Sequence, residues 1–339
     1  MTYLAFIILA IYNYILFANK RYKVIFLFFI ISLLVLFSGF RSENGLDYNN
    51  YLILYNESRY ASSEYLYWFI SILHKEIFDS FRLFVFMSSF ILIFMKVYLL
   101  SKLSDNIFLT IFIFICMSYI YVDMGLLRNS FSFSFFILSM YYYINNKRWM
   151  SYFYFVVAFF FHHTVIFMLF VFFVNKYRTA PSLYLYLILI SLIISYSGVM
   201  TGAIELITNS FSYFPYISWK INHYLLSDHY QNEGLSFYTV RFTFMALLFY
   251  FYREKIKNNF FIKIYMIGTV LILLAGFNIQ IYARIGLFLV FFEMLLMPNF
   301  AMLFKGWERI LLFYFIILFY GIIFARTSYI FRINEVSFF

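Results

Sequence analysis

Cys116 is the only cysteine of the chain, and it sits inside an apolar run. Disulfides and thiolate metal sites are therefore excluded. Charge is also scarce: Asp, Glu, Lys and Arg together make up 12% of the residues, so each charge within an apolar run calls for an explanation. There is no soluble domain, no Gly/Ser linker and no period of the kind a solenoid shows. The Met-Thr-Tyr-Leu start has no basic n-region, and no small-residue cleavage site follows the first apolar run. That run is expected to be a permanent span rather than a signal peptide.

What is present is hydrocarbon. The chain is 65% hydrophobic with a mean hydropathy of +0.86, far above the apolar share of a soluble domain. Apolar runs of 16 to 24 residues recur, each long enough to cross the roughly 30 Å hydrocarbon core of a bilayer. The expected fold is all-α, a polytopic transmembrane helical bundle of about 10–12 spans forming one integral membrane domain, residues 1–339. Candidate spans lie near 3–18, 24–38, 81–100, 107–122, 126–144, 151–174, 181–198, 236–252, 260–276, 284–300 and 309–325. Two longer polar intervals separate them, 39–80 and 199–235. Glu64, His74, Lys75, Glu76 and Asp79 interrupt the apolar positions of 64–79, which reads as a helix lying at the interface rather than as a span.

Basic residues orient the bundle. Lys20, Arg21, Lys23, Lys102, Lys147, Arg148, Arg253, Lys255, Lys257, Lys305 and Arg309 fall in loops that the positive-inside rule assigns to the cytoplasm. The N-terminus and the 39–80 interval are then outside, as is 199–235. Eleven crossings conflict in parity with the late basic loops. Either 151–174 forms a broken or re-entrant element, or part of 199–217 crosses; the first is preferred because it leaves Lys176 and Arg178 inside.

In this orientation Arg41, Arg59, Arg82, Arg128, Arg241 and Arg284 all fall at or just within outer ends of spans. Arginine offers a planar fork of donors suited to phosphate and carboxylate, where lysine is a point charge. Burying one costs roughly 2.5–3.5 kcal/mol on insertion scales. A guanidinium reaching lipid headgroups explains any one of them, but six on the side opposite the orientation bias point to a polar cavity. Within 151–174 stands Phe161-His162-His163-Thr164. Adjacent histidines point about 100° apart on a helix, so the pair makes no shared metal site. A core imidazole bonded to a carbonyl is one reading, and a group that moves a proton near neutral pH is the other. Glu293 is a lone acid that can pair with Arg241 or Arg284, and Lys96 is expected to snorkel.

The stretch after the second span reads Phe40-Arg41, then Gly45-Leu46-Asp47-Tyr48 and Tyr51, followed by Glu64 before the amphipathic stretch. Arg128 opens a span, Phe161-His162-x-Thr164 lies mid-chain, and Arg284 opens a late span that ends at Pro298. These elements in this order resemble the EpsG-like branch of the Wzy-type polysaccharide polymerases, over most of the chain. The Arg-x-x-x-Gly-x-Asp-Tyr element is the most specific of them and the isolated arginines the least. His163 departs by doubling the histidine; His162, directly after Phe161, is taken as the matching one. The resemblance implies a GT-C-like membrane glycosyltransferase on the outer face of a bacterial inner membrane. It would move a glycan from undecaprenyl pyrophosphate onto the non-reducing sugar of another lipid-linked repeat unit. The implied partners are undecaprenyl-pyrophosphate-linked oligosaccharides and the lipid bilayer, with a chain-length regulator as a further candidate and no nucleic acid. Neither a cofactor nor a metal is expected.

The residues fit that chemistry on their own terms. A departing lipid pyrophosphate builds negative charge, and a chain with 15 acids and several arginines can meet it with guanidinium groups in place of a divalent cation. The expected catalytic residues are Asp47, Arg128, His162 and Arg284, with Arg128 and Arg284 on the pyrophosphate and Asp47 or His162 as the base. Arg41 and Asp47 would shape the acceptor cleft, Tyr48 and Tyr51 would pack on sugar faces, and Glu64 and Arg241 would bind substrate. Two rivals stand beside this reading. A multispan acyltransferase usually carries its histidine near the N-terminus beside an acid, whereas no histidine here precedes His74. A lipid-linked oligosaccharide flippase would want repeated halves and a central cationic cavity, and no internal repeat is visible.

Overall fold

The structure, a computed structural model, describes residues 23–41, 47–57, 64–176, 181–197, 237–256, 259–274 and 286–330. These fall into two compact units, residues 1–165 with 304–339 and residues 166–303. Every regular element among the described residues is helical.

The first unit opens with α1 (Lys23–Gly39), α2 (Tyr48–Glu57) and α3 (Tyr65–Phe78). Next comes α4 (Phe81–Leu103), begun by Ser80, whose hydroxyl accepts from the Leu83 N–H. Helix α5 (Ile107–Phe114) starts at Asn106 in the same manner and continues as a π-helix over Ile115–Gly125. Helices α6 (Leu127–Ile144) and α7 (Arg148–Phe161) form a hairpin. The second unit holds α8 (Phe170–Lys176), α9 (Pro181–Tyr196), α10 (Phe237–Phe251), α11 (Asn259–Leu274) and α12 (Glu293–Ala301). The last helix, α13 (Gly306–Ile330), belongs to the first unit and packs on the π-helical stretch.

The outer faces of the helices are apolar, unlike the surface of a soluble protein. On α4 the residues turned inward include Ser88, Ser89 and Lys96, while Phe90, Ile91, Phe94 and Tyr98 face out. On α13, Leu311, Phe315, Leu318 and Ile322 repeat outward every three or four residues. Apolar outer faces over a core that contains serine and lysine suit a hydrocarbon solvent. Among the described residues three helices are long and apolar enough to cross a bilayer, Phe81–Leu103, Ile107–Gly125 and Gly306–Ser328. The expected spans near 24–38, 151–174, 181–198, 236–252, 260–276 and 284–300 hold apolar helices of 10–17 residues, and 126–144 is the 18-residue α6. The expected first span, 3–18, and the 199–235 interval lie outside the described residues.

Small residues let the helices approach. A Cβ on Gly39 would lie 2.6 Å from Cδ2 of Phe86, so α1 crosses α4 at van der Waals contact with its backbone. In the α6–α7 hairpin, Ser132 donates to the Ala158 carbonyl at 2.9 Å and Ser139 to the Ser151 carbonyl at 2.7 Å. Tyr119 donates to the Leu34 carbonyl at 2.5 Å, tying the π-helix to α1.

The structure revises three expectations. The 39–80 interval is not a plain loop with one interfacial helix, because Tyr48–Glu57 is helical as well. The preferred break of the 151–174 run is present: α7 stops at Phe161, His162 is extended (φ −159°, ψ 120°), and a 3₁₀ turn runs over His163–Leu169. The 100° separation expected of two helical histidines therefore does not apply. Lys96 does not snorkel; it is fully buried and paired with Asp123.

Candidate functional site

The break at His162 frees an imidazole from the helical register, and Glu64 meets it. Glu64 occupies the N-cap position of α3 but makes no side-chain cap bond. Its carboxylate is used elsewhere: Oε1 lies 2.5 Å from His162 Nδ1, and Oε2 accepts from Nη1 of Arg128. Arg128, the second residue of α6, also donates Nε–H to the Tyr51 hydroxyl at 3.2 Å and lies over that ring at 5.2 Å. One carboxylate thus joins an arginine 64 residues away to a histidine 98 residues away.

The electrostatics follow from that geometry. Burial pushes the Glu64 carboxyl up, but the hydrogen bond from His162 and the charge of Arg128 outweigh it and hold the group below its ordinary range. Burial raises the Tyr51 phenol, against the opposing pull of Arg128. The Glu64 side chain is 6% exposed, His162 14% and Arg128 30%. The arginine is thus the most accessible of the three. His162 Nε2 is buried and has no hydrogen-bond partner. A carboxylate on Nδ1 favours the tautomer that leaves a lone pair on Nε2, the arrangement of a general base.

Aromatic rings support the cluster. Phe161, next to His162, stacks on Phe131 at 4.7 Å and on Phe135 at 5.3 Å. Tyr67 lies beside Tyr51 at 5.7 Å and edge-on to Phe131 at 6.2 Å. Stacked rings of this kind lock the histidine's neighbour and the start of α6 together.

Of the expected site residues, Arg128, His162, Glu64 and Tyr51 come together. Tyr48 and Tyr51 do not offer ring faces for sugars: both are buried in the aromatic core, Tyr48 edge-on to Phe81 at 5.1 Å. Asp47 starts α2, its carbonyl accepting from the Tyr51 N–H at 3.0 Å, and lies within electrostatic reach of Tyr51. Arg41 is buried, and its Nη1 donates to the Asp123 carbonyl at 2.7 Å. It shares electrostatic reach of Tyr67 with Arg128. Arg82 is exposed. Arg241 lies in the second unit, where Nη2 donates to Glu293 Oε1 at 2.8 Å while Tyr265 donates to Oε2 at 2.8 Å. A buried carboxylate thus already balances its charge. Arg59 and Arg284 lie outside the described residues, so the gathering of six arginines reduces here to Arg41 and Arg128.

Sequence reading missed Asp123 and its partners. Lys96 Nζ bonds Asp123 Oδ1 and, at 2.8 Å, the Ser130 hydroxyl, which donates to the same Oδ1 at 2.6 Å. An acid and a lysine inside consecutive apolar runs were the signal. Among the described residues no group of three or more His, Cys, Asp and Glu is placed to hold a metal.

Long apolar helices together with a partly buried charged cluster define a membrane protein with a polar site. The EpsG family model matches residues 24–337, nearly the whole length, and the chain belongs to that family, which is akin to the Wzy-type polymerases. No curated protein and no solved structure matches it. Membership gives the chain a polysaccharide polymerase-like role at the membrane.

Proposed function

We propose that the chain is a multi-pass surface-polysaccharide polymerase of the bacterial inner membrane, GT-C-like in architecture, with its reaction site facing the periplasm. It moves a glycan from undecaprenyl pyrophosphate onto the non-reducing sugar of a second lipid-linked repeat unit, as O-antigen polymerases do. The observation that carries this reading is the Glu64 carboxylate shared between Arg128 and His162. It supplies a base and an anion-binding fork in one constellation.

The acceptor hydroxyl gives its proton to His162 Nε2 as its oxygen attacks the anomeric carbon of the donor. The bond from that carbon to the phosphate oxygen breaks, and the lipid pyrophosphate leaves with the electron pair. Negative charge on the leaving group meets the partly exposed guanidinium of Arg128, already aimed by Glu64 and Tyr51 before substrate arrives. Arg284 is the second guanidinium assigned to the pyrophosphate. Arginine serves here in place of a divalent cation. Asp47 gives way to His162 as the base because the carboxylate–imidazole pair orients the histidine and leaves one nitrogen without a hydrogen-bond partner.

The test is a glycan ladder from a deletion strain run beside a complemented one. One repeat unit on the surface lipid is the expected outcome. A strain with no repeat unit would indicate a flippase, and full-length chains lacking ester groups an acyltransferase; either overturns the reading. Complementation with Arg284→Ala is expected to leave the protein inserted and the polymer absent. Full-length chains from that variant would remove Arg284 from the mechanism.

A further inference from the structure

The Lys96–Asp123–Ser130 cluster takes no part in the chemistry above, yet its Ser130 lies two residues from Arg128 on α6. Lys96 comes from α4, Asp123 from the π-helix and Ser130 from α6, and none is more than 3% exposed. A buried ion pair commonly contributes no more than well-packed apolar side chains of the same volume, and in a membrane interior its charges are costlier still. Stability alone is a poor reason for it to be there.

Its neighbours suggest another. The residue whose side chain takes the Lys96 ammonium carries Arg41 on its backbone, through the 2.7 Å bond from Nη1 to the Asp123 carbonyl. Arg41 thus sits against Asp123 without a bond to its carboxylate. Arg41 Nε and Asp123 Oδ2 are both buried with no hydrogen-bond partner. An arginine and an aspartate so close would ordinarily close into a forked ion pair. Here Lys96 and Ser130 hold Oδ1 on the other side.

We propose that Lys96 is a positioning residue that keeps the Asp123 carboxylate from pairing with Arg41, so that Arg41 stays without a bonded counter-ion near the Glu64–Arg128–His162 cluster and draws the anionic leaving group. This deepens the polymerase reading and rests on it. The local balance explains why the charge matters. Glu64 bonds Arg128 and Lys96 bonds Asp123, which leaves Arg41 as the cation with no carboxylate bonded to it, while Asp47 lies within electrostatic reach of Tyr51. Arg41 lies within electrostatic reach of Tyr51 and Tyr67, the same two residues that Arg128 reaches. Without Lys96, Asp123 would turn to Arg41 and quench it.

The test is binding of farnesyl pyrophosphate, a short polyprenyl pyrophosphate, to full-length protein in nanodiscs, with the melting temperature followed in parallel. Lys96→Met is expected to weaken binding about tenfold, and Lys96→Met with Asp123→Asn to restore it to within about twofold. In an Arg41→Ala background, Lys96→Met should add nothing further. Asp123→Asn alone, which leaves nothing to quench Arg41, should bind at least as tightly as the natural chain and covers the case in which Lys96→Met does not fold. The proposal is overturned if Asp123→Asn weakens binding, if the double variant stays as weak as Lys96→Met, or if the Lys96→Met loss is equal with and without Arg41. A flat response to Lys96→Met where Arg128→Ala abolishes binding sinks this inference alone. Binding that survives Arg128→Ala sinks the pyrophosphate site on which it rests.

Discussion

Among the described residues two arginine–carboxylate pairs involve a buried carboxylate, and they are built for different ends. In the second unit both oxygens of Glu293 are taken, one by Arg241 and one by the Tyr265 hydroxyl, and the two charged side chains are 3% and 0% exposed. In the first unit both oxygens of Glu64 are also taken, but its partners keep something in reserve. Arg128 remains 30% exposed, and His162 retains a nitrogen with no partner. A buried charge in a membrane protein is therefore not itself the mark of a site. The mark is the capacity left over once the charges are balanced.

Removing that capacity should give the largest effect. His162→Ala is expected to lower polymer output by about 100-fold or more, the usual contribution of a general base, with the protein still inserted and folded. A glycan ladder together with a membrane-fraction blot reads both; wild-type ladders would deny His162 the role. The contrasting change is Arg241→Met, which strands Glu293 in the interior and should cost about 3–5 kcal/mol of stability. Adding Glu293→Leu should recover most of that loss, read as the unfolding midpoint in detergent, and leave polymer synthesis intact. If the doubly apolar variant is stable but makes no polymer, the two pairs are not as different as their geometry says.

Glu64→Gln is intermediate. It keeps the shape but loses the charge that orients His162, and about a 10- to 100-fold drop in activity is expected, as for other partners that orient a working group. The same residue makes a pH prediction. Its folded-state pKa lies below the unfolded value, so the stabilisation it provides is complete above the unfolded value and is lost as pH falls through the folded one. The natural chain should lose stability in that acidic window, and Glu64→Gln should show a flatter profile there. Arg128→Lys is the smallest change. It keeps the charge but cannot reach Glu64 and Tyr51 together as a fork does, and a drop of about tenfold is expected from lost geometry. Full activity would mean that charge alone suffices.

Much of the fold was legible because apolar runs and polar breaks are one-dimensional signals. Helices α4, α6, α9, α10 and α11 fall within a few residues of the expected spans, and α3 lies where an interfacial helix was expected. The break in 151–174, one of two repairs suggested by charge parity, is present at His162. The site was legible as a set of residue types but not as a set of partners. Glu64, Arg128 and His162 were each singled out, yet nothing in their spacing says that one carboxylate serves the other two. Lys96 was misread for the same reason: a lysine within an apolar helix snorkels or pairs, and only a neighbour 27 residues away decides which.

Composition, apolar run length and the placement of lysine by themselves determined that this chain is a helical membrane protein, because the cost of wetting or burying each side chain is a property of that side chain alone. Which charges balance one another, and which keep capacity for a substrate, was decided only in the tertiary structure. A hydrogen bond depends on positions that folding brings within 3 Å, and separations of 64 and 98 residues along the chain carry no trace of that closeness.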